Sequence, residues 1–593
     1  MSDTSGFTTR PTLRGTFGMV SSTHWLASQS AQRMLELGGN AFDAVVAGGF
    51  VLHVVEPHLN GPGGDLPAIV ATAPSSSGRA LPKVLCGQGP APAAATPAAF
   101  AERGLDHVPG SGPLAAAVPG AVDAWLLLLR DHGTLPLATV LEPAIDLARN
   151  GHPLLPRVAA TIEQVRHLFE TDWASSAEVW LPGGRTPVAG ELFANPAYAD
   201  VLERLVAEAT AAGPDVAAQA EGARRAWGQG FVAAAVDAFE PLLVSGADLA
   251  AFSASWESPV VADWHGVQIA KTDLWGQGPS LLQMLAMLDE LGPSALDPDT
   301  AAGVHAITET WKLAMADREA WFGDSSAVTV ADLLDPSYVR ARASLVAEEA
   351  DPGLRPGSPG GREPRLSEHV RRLLAGEQTD RATDATTGEP TVERDPVARG
   401  DTCHIDVVDR WGNIVSATPS GGWLQSAPAV PGLGFCLGSR AQMYWLDEGL
   451  PASLVPGARP RTTLSPTMVL RDGVPVLACG TPGGDQQDQW QSLFLLRHVV
   501  GGAGLQEAVD APMFHHDHFP GSFHPRGMTP GVISLEDRYP QDVVDALTRR
   551  GHVVHRQDPW SLGRMCAVAR DPRTGLLSAA ANPRGMQGYA VGR

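Results

Sequence analysis

A threonine opens the run Gly400-Asp401-Thr402-Cys403-His404-Ile405-Asp406-Val407-Val408-Asp409, far from either end of the chain. The run reads as a strand entering a hairpin, with every second residue on one face and Arg410-Trp411-Gly412-Asn413 as the turn. Upstream, 377–399 is rich in Thr, Asp, Glu, Arg and Pro and reads as a mobile linker. Downstream comes Thr481-Pro482-Gly483-Gly484. Together these suggest a chain that cuts itself between Asp401 and Thr402. The freed threonine would carry a nucleophilic hydroxyl and its own α-amine as base. An α-amine has a pKa of roughly 7.7–8.0, so near neutral pH it can take the hydroxyl proton without a histidine. Gly483 and Gly484 could aim two backbone N–H groups at the oxyanion formed on attack; the alternative is a plain turn. No Gly-Lys-Ser/Thr follows, which argues against a phosphate loop. Cys403 is the rival nucleophile, but in a strand it points away from Thr402 and reads as core.

These groups need elements to hold them. Helical period runs from Leu26 to Leu37 and stops at Gly38-Gly39-Asn40. An almost wholly apolar helix follows from about Ala41 to Val54, a pattern that demands burial on most sides. Further helices are expected at 121–130, 137–149, 300–321 and 366–374, with an alanine-rich helical region from 157 to 250. After Thr402 the pattern changes to short strands at 414–415, 467–470, 476–479 and 565–569. Buried helices with strand-rich segments imply an α/β layered protein.

The chain has 593 residues, 44% of them hydrophobic and 18% charged, with a formal net charge of −22. That charge argues against nucleic acid and anionic membrane surfaces as partners. The apolar stretches near 42–55 and 115–129 are too short and too interrupted to span a bilayer. Met1–Gly6 shows no secretory signal pattern. The five cysteines lack CxxC spacing, which fits free thiols in a reducing, cytoplasmic setting.

Several segments, taken in order, resemble the gamma-glutamyltransferase family of N-terminal-nucleophile hydrolases. They are Gly38-Gly39-Asn40-Ala41-Phe42-Asp43-Ala44, Val55-Glu56-Pro57-His58 with Gly61-Pro62-Gly63-Gly64, and Val118-Pro119-Gly120. Lys312-Leu313-Ala314-Met315-Ala316-Asp317-Arg318, the Thr402 run, Leu464-Ser465-Pro466-Thr467 and Gly480-Thr481-Pro482-Gly483-Gly484 complete the set. The resemblance implies a four-layer αββα sandwich made as an inactive precursor. Scission at Asp401–Thr402 would give a large subunit (1–401) and a small catalytic one (402–593), which stay together as one folding unit. No cofactor and no metal is implied. Thr402 is the expected nucleophile, Ser420 its supporting hydroxyl and Gly483-Gly484 the oxyanion hole. Thr418 lies on the face of Ser420. Thr462 and Thr463 align with paired serines that hold a substrate carboxylate in glutamyl enzymes.

The departures bear on substrate. Pro97 stands where the family's glutamyl-binding arginine is expected, Met443 where an acidic residue holds the substrate amine, and Gly422 where an asparagine belongs. None of the three can pair with a zwitterion. This argues against glutathione and favours the acylase-like branch, which acts on amides of less polar or differently charged acyl groups with water or an amine as acceptor. Tyr444 and Trp445 either line that acyl pocket or belong to the core. Cleavage of a C-acyl bond is possible on the same scaffold. Two other readings compete: a metal-assisted hydrolase built on His515, His516 and His518, and an uncleaved, non-catalytic binding protein.

Overall fold

The computed structural model describes residues 7–73, 81–240, 242–376 and 402–593. The linker expected at 377–399 and the cleavage-site Asp401 lie outside the described residues. The chain folds as a four-layer αββα sandwich around two stacked seven-stranded antiparallel sheets. The first runs, edge to edge, Leu13–Gly15, Leu577–Ala581, Cys566–Arg570, Val474–Gly480, Thr467–Arg471, Val267–Lys271, Val260–Trp264. The second runs Tyr589–Gly592, Gly18–Ser22, Ile405–Asp409, Ile414–Ala417, Leu66–Ala71, Lys83–Gly87, Ser255–Glu257.

The two-residue period of a strand sorts side chains between layers. Ile405, Val407, Val415 and Ala417 join the cluster under the helices Trp25–Glu36, Ala41–Val55 and Ala121–His132. Val408 and Ile414 instead face the other sheet, where they meet Met468, Leu470 and Ala478. Val469, Leu477 and Cys479 turn outward beneath Gly278–Glu290, Ala301–Trp321 and Gln487–Leu495. Three apolar clusters thus fill the three spaces between four layers.

The expected apolar helix is Ala41–Val55, and every residue of it is buried. Asn40 caps it by accepting the N–H groups of Phe42 and Asp43, while Asp43 returns a bond to the Asn40 N–H. It packs directly on the nucleophile's strand: a Cβ on Gly48 would stand 2.4 Å from Ile405 Cδ1. The other expected helices form as Ala121–His132, Leu137–Asn150, Ala301–Trp321 and Glu368–Leu374. The strand expected from Thr402 starts only at Ile405. Pro419 sits opposite Cys403 and, having no N–H, ends the regular ladder there. Its carbonyl still accepts from Cys403 N at 3.0 Å, and Thr402 makes an isolated antiparallel bridge to Ser420.

Segments before and after residue 402 alternate across both sheets. Gly18–Ser22 lies between Ile405–Asp409 and Tyr589–Gly592, and Ile414–Ala417 pairs with Leu66–Ala71. In the other sheet Thr467–Arg471 pairs with Val267–Lys271, and Leu577–Ala581 with Leu13–Gly15. Among the described residues no helix is long and apolar enough to cross a membrane.

Candidate active site

The parity of the nucleophile strand decides what surrounds Thr402. Even-numbered residues there face the space between the sheets. Thr402 is 1% exposed, and its Oγ1 lies 3.2 Å from Ser420 Oγ. Ser420 is fixed by a reciprocal backbone pair with Asp65, its N–H donating to Asp65 O at 3.1 Å and its carbonyl accepting from Asp65 N at 2.7 Å. Two residues on, His404 Nε2 is 2.8 Å from Asp406 Oδ1 and His404 Nδ1 is 2.9 Å from Thr418 Oγ1. A carboxylate only accepts, so Nε2 carries the hydrogen toward Asp406. Burial pushes the Asp406 carboxyl up, against the pull of His404. Thr418 therefore braces His404 rather than presenting its hydroxyl beside Thr402.

Cys403 faces the other way, as expected. Its Sγ donates to Glu56 Oε2 at 2.9 Å and accepts from Asn60 Nδ2 at 3.1 Å. Glu56 also accepts from Thr23 Oγ1 at 2.6 Å and from Gln587 Nε2. Burial first, and the Glu56 charge second, push the Cys403 thiol well above its ordinary value. A thiol held protonated in a full set of bonds is structural.

The Gly-Gly pair reaches the same region from the opposite sheet. Strand Val474–Gly480 ends against the His404 ring, which would lie 2.2 Å from a Cβ on Gly480. Gly483 and Gly484 follow at φ +131° and +53°. A Cβ on Gly483 would stand 2.2 Å from Trp490 Cζ3, so no other residue fits. Thr481 Oγ1 donates to the Pro482 carbonyl at 2.8 Å and Gln486 N to the Gly483 carbonyl at 3.0 Å, which holds the two peptide planes that carry the Gly483 and Gly484 N–H groups. Arg318 holds the following Asp485, which also accepts from Ser522 N at 2.8 Å and Ser522 Oγ at 2.6 Å. The result is a rigid N–H-bearing turn at the strand end nearest the threonine.

The family model for gamma-glutamyltranspeptidase matches residues 27–592. The chain belongs to the gamma-glutamyltranspeptidase family. It is 30% identical over 580 residues to the acylase ACY 1 proenzyme of Pseudomonas sp. (strain SE83), covering 95% of this chain and 92% of that one. It is 29% identical over 591 residues to the glutathione hydrolase-like YwrD proenzyme of Bacillus subtilis (strain 168), covering 98% and 99%. The solved structure of LmbA2991HD is 56% identical with a TM-score of 0.92, covering 99% of this chain and 100% of that chain. The chain is accordingly an acyl hydrolase or acyltransferase of the gamma-glutamyltranspeptidase family.

The residues expected at the substrate positions are placed as follows. Pro97 opens the helix Pro97–Ala101 behind the Thr96 cap. Gly422 has φ +66°, and a Cβ there would meet Gly64 N at 2.8 Å, so an asparagine cannot be housed. Met443 is buried with its sulfur 3.8 Å from an Arg440 nitrogen. Thr462 Oγ1 accepts from Leu464 N at 3.3 Å, while Thr463 Oγ1 is buried with no hydrogen-bond partner. Tyr444 is buried. Its ring packs with Ala91, Phe100 and Leu454, and its hydroxyl donates to Ala458 O. Trp445 donates to Glu319 Oε1 at 3.1 Å and is covered by Arg526, whose guanidinium carbon is 3.7 Å from the ring centroid.

The histidine run does not converge. The His515 ring stands edge-on to Trp490; His516 Nδ1 accepts from His518 N at 3.2 Å; and the His518 ring bridges Gly353 O and Gly531 N. Among the described residues the His/acid group with converging ligand atoms is His305, Glu309 and His552. There, His305 Nδ1 already bonds His552 Nε2 at 2.8 Å and Lys312 caps Glu309 at 2.6 Å.

The sequence reading missed Asp65 and Arg440. Arg440 Nε donates to Asp65 Oδ2 at 2.7 Å, and both side chains are buried. One cation and one anion in otherwise uncharged segments, Asn60–Leu66 and Leu437–Trp445, were the available signal.

Proposed function

We propose that this protein is made as a precursor, cuts itself before Thr402, and uses the freed threonine to hydrolyse or transfer an acyl group held in amide linkage. The observation that carries this is the 3.2 Å approach of Thr402 Oγ1 to Ser420 Oγ in the space between the sheets. The released α-amine takes the Oγ1 proton, Oγ1 attacks the substrate carbonyl, and Ser420 steadies the oxygen. The N–H groups of Gly483 and Gly484 hold the oxyanion. The amine then returns the proton to the leaving nitrogen, and water or an amine takes the acyl group from the Thr402 ester. The large and small parts, 1–401 and 402–593, remain one folding unit.

γ-Glutamyl is a poor fit as the acyl group. Pro97, Gly422 and Met443 offer no charge to an α-amino acid head group, and the backbone leaves no room for one at Gly422. The similarity to an acylase proenzyme supports an acyl amide as the substrate. The test is Thr402→Ala. Wild-type protein should run on a denaturing gel as fragments of about two-thirds and one-third of its 62.1 kDa, and should turn over acyl anilides. The variant should run as one band without turnover; an active, uncut protein would end this reading.

A further inference from the structure

Arg440 is 2% exposed, and its three nitrogens fare differently. Nε is held by Asp65, one terminal nitrogen contacts the Met443 sulfur, and the other, Nη2, is buried with no hydrogen-bond partner. That nitrogen is 3.6 Å from where a Cβ on Gly421 would sit, directly after Ser420. The guanidinium carbon lies 5.9 Å from the Trp423 ring centroid and 6.0 Å from that of Phe523. Phe523 in turn reaches within 3.2 Å of the Cβ position of Gly484. Arg440 thus lies between the segment that carries Ser420 and the Phe523 ring that packs on Gly484.

A buried N–H with no acceptor is strongly disfavoured, and a charged one more so. Asp65 neutralises the guanidinium without using all its donors, and burial pushes the Asp65 carboxyl up despite that pairing. The site therefore presents a directed donor with little excess charge. It can serve a neutral oxygen as well as an anionic one, and, having donors only, it gives nothing to a protonated amine.

We propose that Arg440, held by Asp65, is the specificity-determining residue for the acyl group, donating from Nη2 to a second oxygen on the acyl chain. The substrate class is then an acyl amide whose chain carries an oxo or carboxylate oxygen beyond the scissile carbonyl. This rests on the Thr402 reading for the position of that carbonyl.

The test compares pentanoyl, 4-oxopentanoyl and glutaryl p-nitroanilides on wild type, Arg440→Met and the double variant Asp65→Asn/Arg440→Met. The double variant removes both charges together, so a folding defect from a lone buried carboxylate cannot mimic the result. Wild type should favour the two oxygen-bearing chains over pentanoyl by at least about tenfold in kcat/KM, the worth of one charge-assisted hydrogen bond. The variants should lose that preference while pentanoyl turnover changes by less than about threefold. An unchanged preference, or an equal fall on all three, would overturn the proposal and leave Thr402 untouched. Calorimetric titration with glutarate separates the two readings. Binding to wild type but not to the variants, without turnover of any anilide, would support Arg440 and sink Thr402 alone. Equal binding in all three proteins, or none in wild type, would overturn the Arg440 assignment.

Discussion

Gly483→Ala probes the oxyanion assignment most directly. A Cβ there would lie 2.2 Å from Trp490 Cζ3, whereas carbon atoms rest about 3.5–4.0 Å apart. Backbone or indole must therefore move by about 1.3 Å or more to reach that spacing. The φ of +131° adds strain of about 1–3 kcal/mol for an L side chain. A shift of that size carries the Gly483 and Gly484 N–H groups off the oxyanion. Losing one such donor costs about 10²–10³ in kcat, or about 2.7–4 kcal/mol. The expected outcome is a processed enzyme with kcat down by about a hundredfold or more and KM little changed, measured on a chromogenic acyl anilide. Gly502→Ala is the control: φ is +71° on an exposed turn with nothing within 4 Å, so it has backbone strain without a collision. That variant should melt slightly lower and keep its kcat. If processed Gly483→Ala keeps kcat within about threefold while its melting temperature falls, the turn is structural and the oxyanion is held elsewhere.

Other outcomes follow from the same geometry. Ser420→Ala removes one hydroxyl partner of Thr402 and should lower kcat by about fivefold to tenfold, matching a neutral hydrogen bond, in steady-state assays. Activity should rise with pH through one deprotonation at or below the ordinary α-amine value of about 7.7, since burial of Thr402 disfavours the charged amine. A profile flat between about pH 5 and 9 would reject the amine as base. γ-Glutamyl p-nitroanilide should be turned over at least about tenfold more slowly than the glutaryl analogue, which lacks the amine but keeps the chain length. Equal rates would show that this site has a head-group clamp of its own.

Much of the architecture was legible because its signals are local. The helix Ala41–Val55 shows in an almost wholly apolar run, and the hairpin after Ile405 in two short apolar stretches around the turn at Gly412. Alternation also separated Thr402 from Cys403, which the packing on the two faces reflects. The late start of the strand escaped notice because it depends on Pro419, a residue on the partner strand. Tyr444 could not be assigned because an aromatic residue reads alike in a pocket wall and in a core. The Asp65–Arg440 pair was out of reach because it joins residues 375 apart, and neither forms a motif by itself. The glycine clamps are intermediate: Gly483-Gly484 was visible as a motif, but the indole that forbids any other residue there was not.

Among the described residues, segments from either side of residue 402 meet along five strand pairings. In the uncut precursor those pairings form within one polymer, at a rate independent of dilution. Once the bond before Thr402 is broken, thermal unfolding releases two polymers, each missing the neighbours of its central strands. Refolding then requires a second-order encounter between two species that both expose unpaired edges, and aggregation competes with it. Maturation would therefore convert a reversible fold into one protected only by its unfolding barrier. The working lifetime of the mature protein would be set by a rate rather than by an equilibrium.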